Sequence, residues 1–298
     1  MRMLVTGIEG QVARALAERA GPDLEVIRLG RPELDLATAG DLTDLFAGEA
    51  PEVIVNAAAH TAVDRAESEP GLAHAINAIG AGAVARAAAD LRVPIIQLST
   101  DYVFDGSGDR PLSEDDPTAP INVYGASKLA GEDEVAAVGS DHVILRTSWV
   151  HAPFGANFVR TMLRLAESRD EVAVVGDQWG RPTSALDIAA AIETIAGNLL
   201  ARPGDASMRG VFHLTASGEA TTWAGFAEEI FRLSAAHRGP SARVRAITSD
   251  EWPTAARRPR WSVLDGARLA EIHGVRLPAW PVSLDRVVAR LVAGGGDA

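Results

Sequence analysis

The chain of 298 residues contains no cysteine. That absence excludes disulfides, thiolate catalysis and Cys-ligated metal, and it fits a reducing cytosol. Basic charge is also short: 28 Lys and Arg stand against 40 Asp and Glu, a formal net charge of −12 with a pI near 5.1. A surface of that sign repels phosphate backbones and anionic lipid, so neither nucleic acid nor a membrane is expected as a partner. No apolar run approaches the roughly 18 to 20 residues of a bilayer span. A charged segment followed by an apolar one, as in a secretory leader, is missing from the start. A cytoplasmic protein is therefore expected. Internal repeats are absent too, and Gly294-Gly295-Gly296 reads as a frayed tail. What the chain does have is 47% hydrophobic residues, enough for a large domain with an appended lobe.

The chemistry gathers in two segments. Residues 93–98 read as an apolar strand that runs into Ser99, Thr100, Asp101 and Tyr102. In a parallel sheet, the carboxyl end of a strand is where ligands bind. Tyr124 and Lys128 stand four apart, so both side chains share one helix face. An ammonium beside a phenol favours phenolate, and Lys128 is expected to pull the Tyr124 pKa below its usual value of about 10. A hydroxyl at the strand end would hold the same substrate oxygen. These are the parts for reducing a carbonyl. Tyr-x-x-x-Lys alone is as often a helix-surface pair; the Ser-Thr upstream favours the site.

The first strand, residues 3–6, leads into Gly7-Ile8-Glu9-Gly10-Gln11-Val12-Ala13 and a helix to about Ala20. This is a variant of the dinucleotide fingerprint. Gly7 allows the turn, Gly10 admits a pyrophosphate, and Ala13 keeps helix and strand close. Glu9, Gln11 and Val12 fall within the same cofactor loop. The second strand, residues 24–29, ends in Gly30-Arg31 where an NAD enzyme would carry an acid. Arg31 suits a 2′-phosphate, so NADPH is favoured and NADH is left open; a solvated surface Arg is the alternative. Asp35, next to Leu36, either reaches the adenine or caps a helix from about Ala37. Strand 53–55 ends in Ala57-Ala58-Ala59, small enough for a flat cofactor to lie on the backbone, followed by His60 and Val63. A helix is expected over 71–90, with Asn77 either a surface polar or an organiser of the site. Residues 105–120 read as a loop, and strand 143–147 runs into Trp149. A helix over 157–168, a strand over 172–175, a helix over 184–200 and a strand over 211–214 follow.

Longer matches then accumulate: Gly7 to Ala13; Asn56 to Asp64 with Arg65 to Pro70; Ser99 to Phe104; Tyr124 to Lys128 with Leu129 to Glu132; and Arg146 to Val150. Asn157-Phe158, Asp177 to Thr183 and Arg258-Pro259 extend them towards the C-terminus. On these residues the chain resembles the extended short-chain dehydrogenases and, within them, the dTDP-4-dehydrorhamnose reductases. The resemblance implies an α/β fold: a doubly wound, Rossmann-like parallel sheet with a smaller C-terminal substrate-binding lobe. It divides the chain into an NAD(P)-binding domain over 1–150, with further sheet elements from about 172–215, and a sugar-nucleotide lobe over 151–298. It implies reduction of the 4-keto group of dTDP-4-dehydro-L-rhamnose by a monomer or homodimer. Tyr124 would donate the proton, Lys128 would lower its pKa and bond the nicotinamide ribose, and Thr100 would polarise the keto oxygen. His60, Val63, Asp101, Tyr102, Trp149 and Asn157 fall at or near the sugar. Three departures stand out. His151 replaces a frequent Tyr, Trp261 precedes Ser262 where Asn is usual, and no acidic cluster matches the magnesium-bridged dimer of some members, so no metal site is assigned.

Three other enzymes and one non-enzyme compete. A 4,6-dehydratase needs an Asp-Glu pair after the Thr, and here Tyr102 takes the Glu position. A 4-epimerase, or a 4-ketoreductase of another deoxysugar, is excluded less firmly. A non-catalytic regulatory subunit need not retain Thr100, Tyr124 and Lys128, all of which are present.

Overall fold

A computed structural model describes residues 1–139 and 141–294; Gly295 and Gly296 of the tail lie outside the described residues. Five strands come in chain order: β1 (Arg2–Thr6), β2 (Glu25–Leu29), β3 (Val53–Asn56), β4 (Ile95–Thr100) and β5 (His142–Thr147). With Gly210–His213 they form one sheet in the order 210–213, β5, β4, β3, β1, β2. Every pairing in it is parallel. Parallel strands need crossovers, and here helices fill them on both faces. Leu4, Ile54 and Ile144 point to one face, among Phe46, Val84 and Val135. Their neighbours Met3, Val5, Val53, Val55, Val143 and Leu145 point to the other, among Val12, Leu16, Ile188 and Ile192. That alternation is the period of two of a pleated strand, and each fully buried aliphatic contributes roughly 1.5–3 kcal/mol.

A second core brings together Val159, Met162, Val172, Val174, Phe226, Ile230, Leu284 and Val287. It is built by helices Phe158–Ala166, Trp223–Ala236 and Trp280–Ala293 over the two-stranded parallel sheet Glu171–Val175 with Arg243–Ile247. The strand expected over 172–175 therefore belongs to this lobe and not to the main sheet. The helix Ala185–Ala201, by contrast, packs on the main sheet and on the helix Gln11–Ala17. The chain crosses between the two cores more than once.

Two further expectations change. No helix starts at Ala37: Asp35 closes a local turn by accepting from the Ala37 amide at 3.0 Å, and the next helix is Thr43–Ala47. The helical run over 70–91 is interrupted by a π-helical segment, Ala75–Gly80, that contains Asn77. Such segments often mark functional sites. Across the strand ends runs a buried polar ladder. Thr6 donates to Asn56 at 2.5 Å, Asn56 to Gln97 at 2.7 Å, and Gln97 to the Leu98 carbonyl at 2.9 Å. No helix of the described residues is long and apolar enough to cross a membrane.

Candidate active site

The strand order reverses between β1 and β3, and at such a switch point a doubly wound sheet opens a crevice at its carboxyl edge. A cleft of about 860 Å³ lies there. On one side the chain leaves β1 through Gly7, whose φ of +96° is open to glycine and strained for other residues. The helix Gln11–Ala17 then begins at Gly10 with no side chain capping its first amides. Glu9, Gly10, Gln11, Val12, Arg31, Asp35, Leu36, Ala57, Ala58 and Ala59 all line this half. Ile8 of the fingerprint, Gly30 and Leu34 join them, and of these Leu34 carries no signal in the sequence. The Gln11 side-chain oxygen is buried there without a partner, as is the Thr147 hydroxyl further along the wall.

The middle of the cleft is made by β4 and the helix Val123–Val138. Asn122 caps that helix by accepting from the Gly125 amide at 2.7 Å. Gly125 also lets the helix approach the strand end, since a Cβ there would fall 2.1 Å from the Tyr102 carbonyl. Thr100, Tyr124 and Lys128 thereby share one wall. Their electrostatics differ from the expectation. Burial pushes the Tyr124 phenol up to about 12, with the Thr100 hydroxyl pulling it down and the Asp101 charge pushing it further up. Lys128 is itself buried and pushed down to about 8, opposed by Glu132 one turn on. Its ammonium donates to the Leu98 carbonyl at 2.6 Å, the same oxygen that ends the polar ladder. Desolvation leads, the expected pull from Lys128 is not among the causes of the shift, and Tyr124 remains a protonated phenol.

The other half faces the second core. Asp101, Tyr102, Val63 and Trp149 line it, as expected. Burial holds Asp101 at about 7 and pushes the Tyr102 phenol upwards, and the rings of Tyr102 and Tyr124, the chain's two tyrosines, meet edge to face at 5.8 Å. Trp149 has a φ of +48°, a strained value for a bulky residue that often marks a working site. Its indole is stacked on Trp223 at 3.7 Å and 8°, and a Cβ on Gly180 would fall 2.5 Å from the ring. Trp223, Phe158 and Arg258 are wall residues that local sequence did not reveal. They come from distant segments; the Asn157-Phe158 and Arg258-Pro259 matches run through two of them, and Trp223 lies in none of the matches.

Two expected substrate residues are not on the wall themselves, although their chain neighbours Ala59, Thr61, Ala156 and Phe158 are. Asn157 is off the cleft wall, because its carbonyl caps the Phe158–Ala166 helix at the Arg160 amide and its amino group donates to Ala152 and Phe154. His60 is also off the wall. Its main chain is clasped by Asn77, which accepts from the His60 amide at 2.7 Å and donates to the His60 carbonyl at 3.1 Å. Asn77 donates as well to Ser127, which bonds the Tyr124 carbonyl, so it organises the site from behind. Glu132 binds Arg146 in a buried bidentate pair and accepts from Ser99. Of the departures, His151 is fully buried against Phe226 and pushed down to about 4, while Trp261 donates to the Arg110 carbonyl at 2.7 Å. No group of three or more metal-ligating side chains occurs among the described residues.

A family model described as the RmlD substrate binding domain matches residues 1–293. The dTDP-4-dehydrorhamnose reductase of Sinorhizobium fredii is 50% identical over 298 residues, covering all of both chains. That of Burkholderia thailandensis is 41% identical, covering 98% of this chain and 100% of its own. Among solved structures, the Bacillus anthracis dTDP-4-dehydrorhamnose reductase in complex with NADP superposes with a TM-score of 0.88 at 33% identity, covering 96% of this chain and 98% of its own. With a site built at the switch point of the same fold and relatives alike from end to end, the chain belongs to the dTDP-4-dehydrorhamnose reductase family.

Proposed function

We propose that the chain reduces the 4-keto group of dTDP-4-dehydro-L-rhamnose to dTDP-L-rhamnose with NADPH. The observation that carries the reading is the convergence of Thr100, Tyr124 and Lys128 at the end of β4, midway along a cleft with a nucleotide-binding turn at one end. The cleft fits a dinucleotide: an uncapped helix start behind Gly10, small Ala57 to Ala59, and unpartnered polar atoms on Gln11 and Thr147. Exposed Arg31 on the wall favours a 2′-phosphate, and the NADP complex of the Bacillus anthracis relative supports it.

When bound, the nicotinamide supplies the hydride for the keto carbon. Tyr124 gives its proton to the keto oxygen, and its raised pKa keeps that proton in place until the oxygen becomes basic. Lys128, anchored on Leu98, has ammonium protons to spare for a ribose hydroxyl and for the phenolate that forms. Val63, Trp149 and Trp223 give the sugar an apolar wall, and Arg258 a cation for its diphosphate. A dehydratase would need a carboxylate base at position 102, where burial instead holds a phenol protonated.

The test is incubation with NADPH and a preformed dTDP-4-keto-6-deoxy sugar. Stoichiometric loss of NADPH absorbance is expected, with Tyr124→Phe slowing kcat by roughly 10² to 10⁴-fold at unchanged NADPH affinity. Given dTDP-glucose alone, the protein should release no product lighter by one water. Such a product would overturn the reading, as would full activity in Tyr124→Phe.

A further inference from the structure

A threonine hydroxyl has one proton to give. For Thr100 to polarise a keto oxygen, that proton must point at the substrate. In the structure it is given elsewhere: Thr100 Oγ1 donates to Asp101 Oδ1 at 3.0 Å and accepts from the Tyr102 amide at 3.2 Å. The hydroxyl thus gives its one proton to a carboxylate and not to the cleft, although the Tyr124 phenol also stands within its reach. The acceptor that holds it is 2% exposed, and its second oxygen, Oδ2, is buried without a partner.

Resting on the reading above, we propose that Asp101 acts through Thr100 as a positioning residue, releasing the Thr100 hydroxyl to the keto oxygen only when its own carboxyl is protonated. A protonated Asp101 turns its O–H onto Thr100 Oγ1, and the Thr100 proton swings into the cleft. No bond to carbon changes; one hydrogen bond reverses its direction. An ionised Asp101 keeps the Thr100 proton for itself.

The surroundings suit this exchange. The groups facing Asp101 are the Thr100 and Ser262 hydroxyls and the phenols of Tyr102 and Tyr124. Lys128, on the same helix as Tyr124, is bonded to the Leu98 carbonyl, and Arg258 is paired bidentately with Asp64. No cation neutralises Asp101 among the described residues, and burial brings its ionisation to about 7, inside the working range. A negative Asp101 also opposes phenolate at Tyr124, so the neutral carboxyl favours both donors in one step.

The experiment is the pH dependence of the Thr100→Val penalty, measured with NADPH and a dTDP-4-keto-6-deoxy sugar. At about pH 6 the loss in kcat should be roughly 10²-fold, as for removal of an oxyanion donor. At about pH 8.5 it should shrink to a few-fold, because the parent's hydroxyl is then already held by Asp101. Asp101→Asn should flatten the alkaline limb of kcat/KM, with NADPH binding reporting that the variant is folded. A Thr100→Val penalty equal at both pH values overturns the coupling, as does an unchanged alkaline limb in folded Asp101→Asn. If the parent itself reduces no keto sugar at any pH, the functional reading fails instead.

Discussion

Asp101 shows what burial does to a single side chain. Its carboxyl titrates near 7 in the folded protein and near 3.8 when solvated, with desolvation as the leading cause. Between those values the folded chain holds a proton that the unfolded chain has released. Stability attributable to this group is therefore greatest below pH 4, falls as pH rises to about 7, and is level beyond. Asn carries no such proton. Urea unfolding at about pH 5.5 and about pH 8 should show Asp101→Asn gaining on the parent at the higher pH. A stability gap equal at both would mean that Asp101 is ionised throughout in the folded protein. The same scale shows where sequence reading stops. Gly7, Gly10, Thr100 and Tyr124 were legible because each sits where a strand ends or one turn into a helix. The partners that Asn157 and His60 take up were not legible, because sequence gives the donors and acceptors a residue owns, not the backbone groups that use them. Lys128 and Tyr124 line one cleft, in keeping with their spacing, yet the sign of the Tyr124 shift depends on how much water is excluded, which periodicity does not report.

Between elements, close approach is set by glycines whose absent side chain is occupied by a neighbour. Gly131, on the helix that carries Tyr124 and Lys128, faces the π-helical segment, and a Cβ there would fall 2.0 Å from the Asn77 carbonyl. Gly131→Ala must part the two segments and loosen the bonds from Asn77 to Ser127 and His60. We expect a cost of about 1–3 kcal/mol from overpacking and a lower kcat. Gly197, inside the helix Ala185–Ala201, has nothing within 4 Å of its missing Cβ. Gly197→Ala should stabilise by about 0.5–1 kcal/mol through helix propensity alone and leave kcat unchanged. Thermal unfolding of the pair checks both signs; a stable, fully active Gly131→Ala would refute the contact. The sequence offered two glycines in two helices with no means of telling them apart. The doubly wound sheet, by contrast, is what the family resemblance implies, and parallel strands with right-handed crossovers leave few topologies for it.

For the molecule as a whole, the division at residue 150 is the expectation that the packing qualifies most. Local patterns place elements but do not say which core an amphipathic helix will join. One face of the main sheet is covered by Ile188, Ile192, Ile195 and Leu199, and by Leu269, Val275 and Leu277, all far along the chain. Synthesis runs from the N-terminus, so Met3, Val5, Val53, Val55, Val143 and Leu145 leave the ribosome well before the residues that shield them. The opposite face is closed earlier, by residues up to Val135. The nascent chain thus spends an interval half-clad, with a nucleotide-binding turn already made and a bare apolar sheet behind it. A fragment of residues 1–150 is expected to aggregate or to need a holding chaperone, despite containing Gly7, Thr100, Tyr124 and Lys128. Recovery of that fragment as a soluble monomer that binds NADPH would show that the late helices are dispensable.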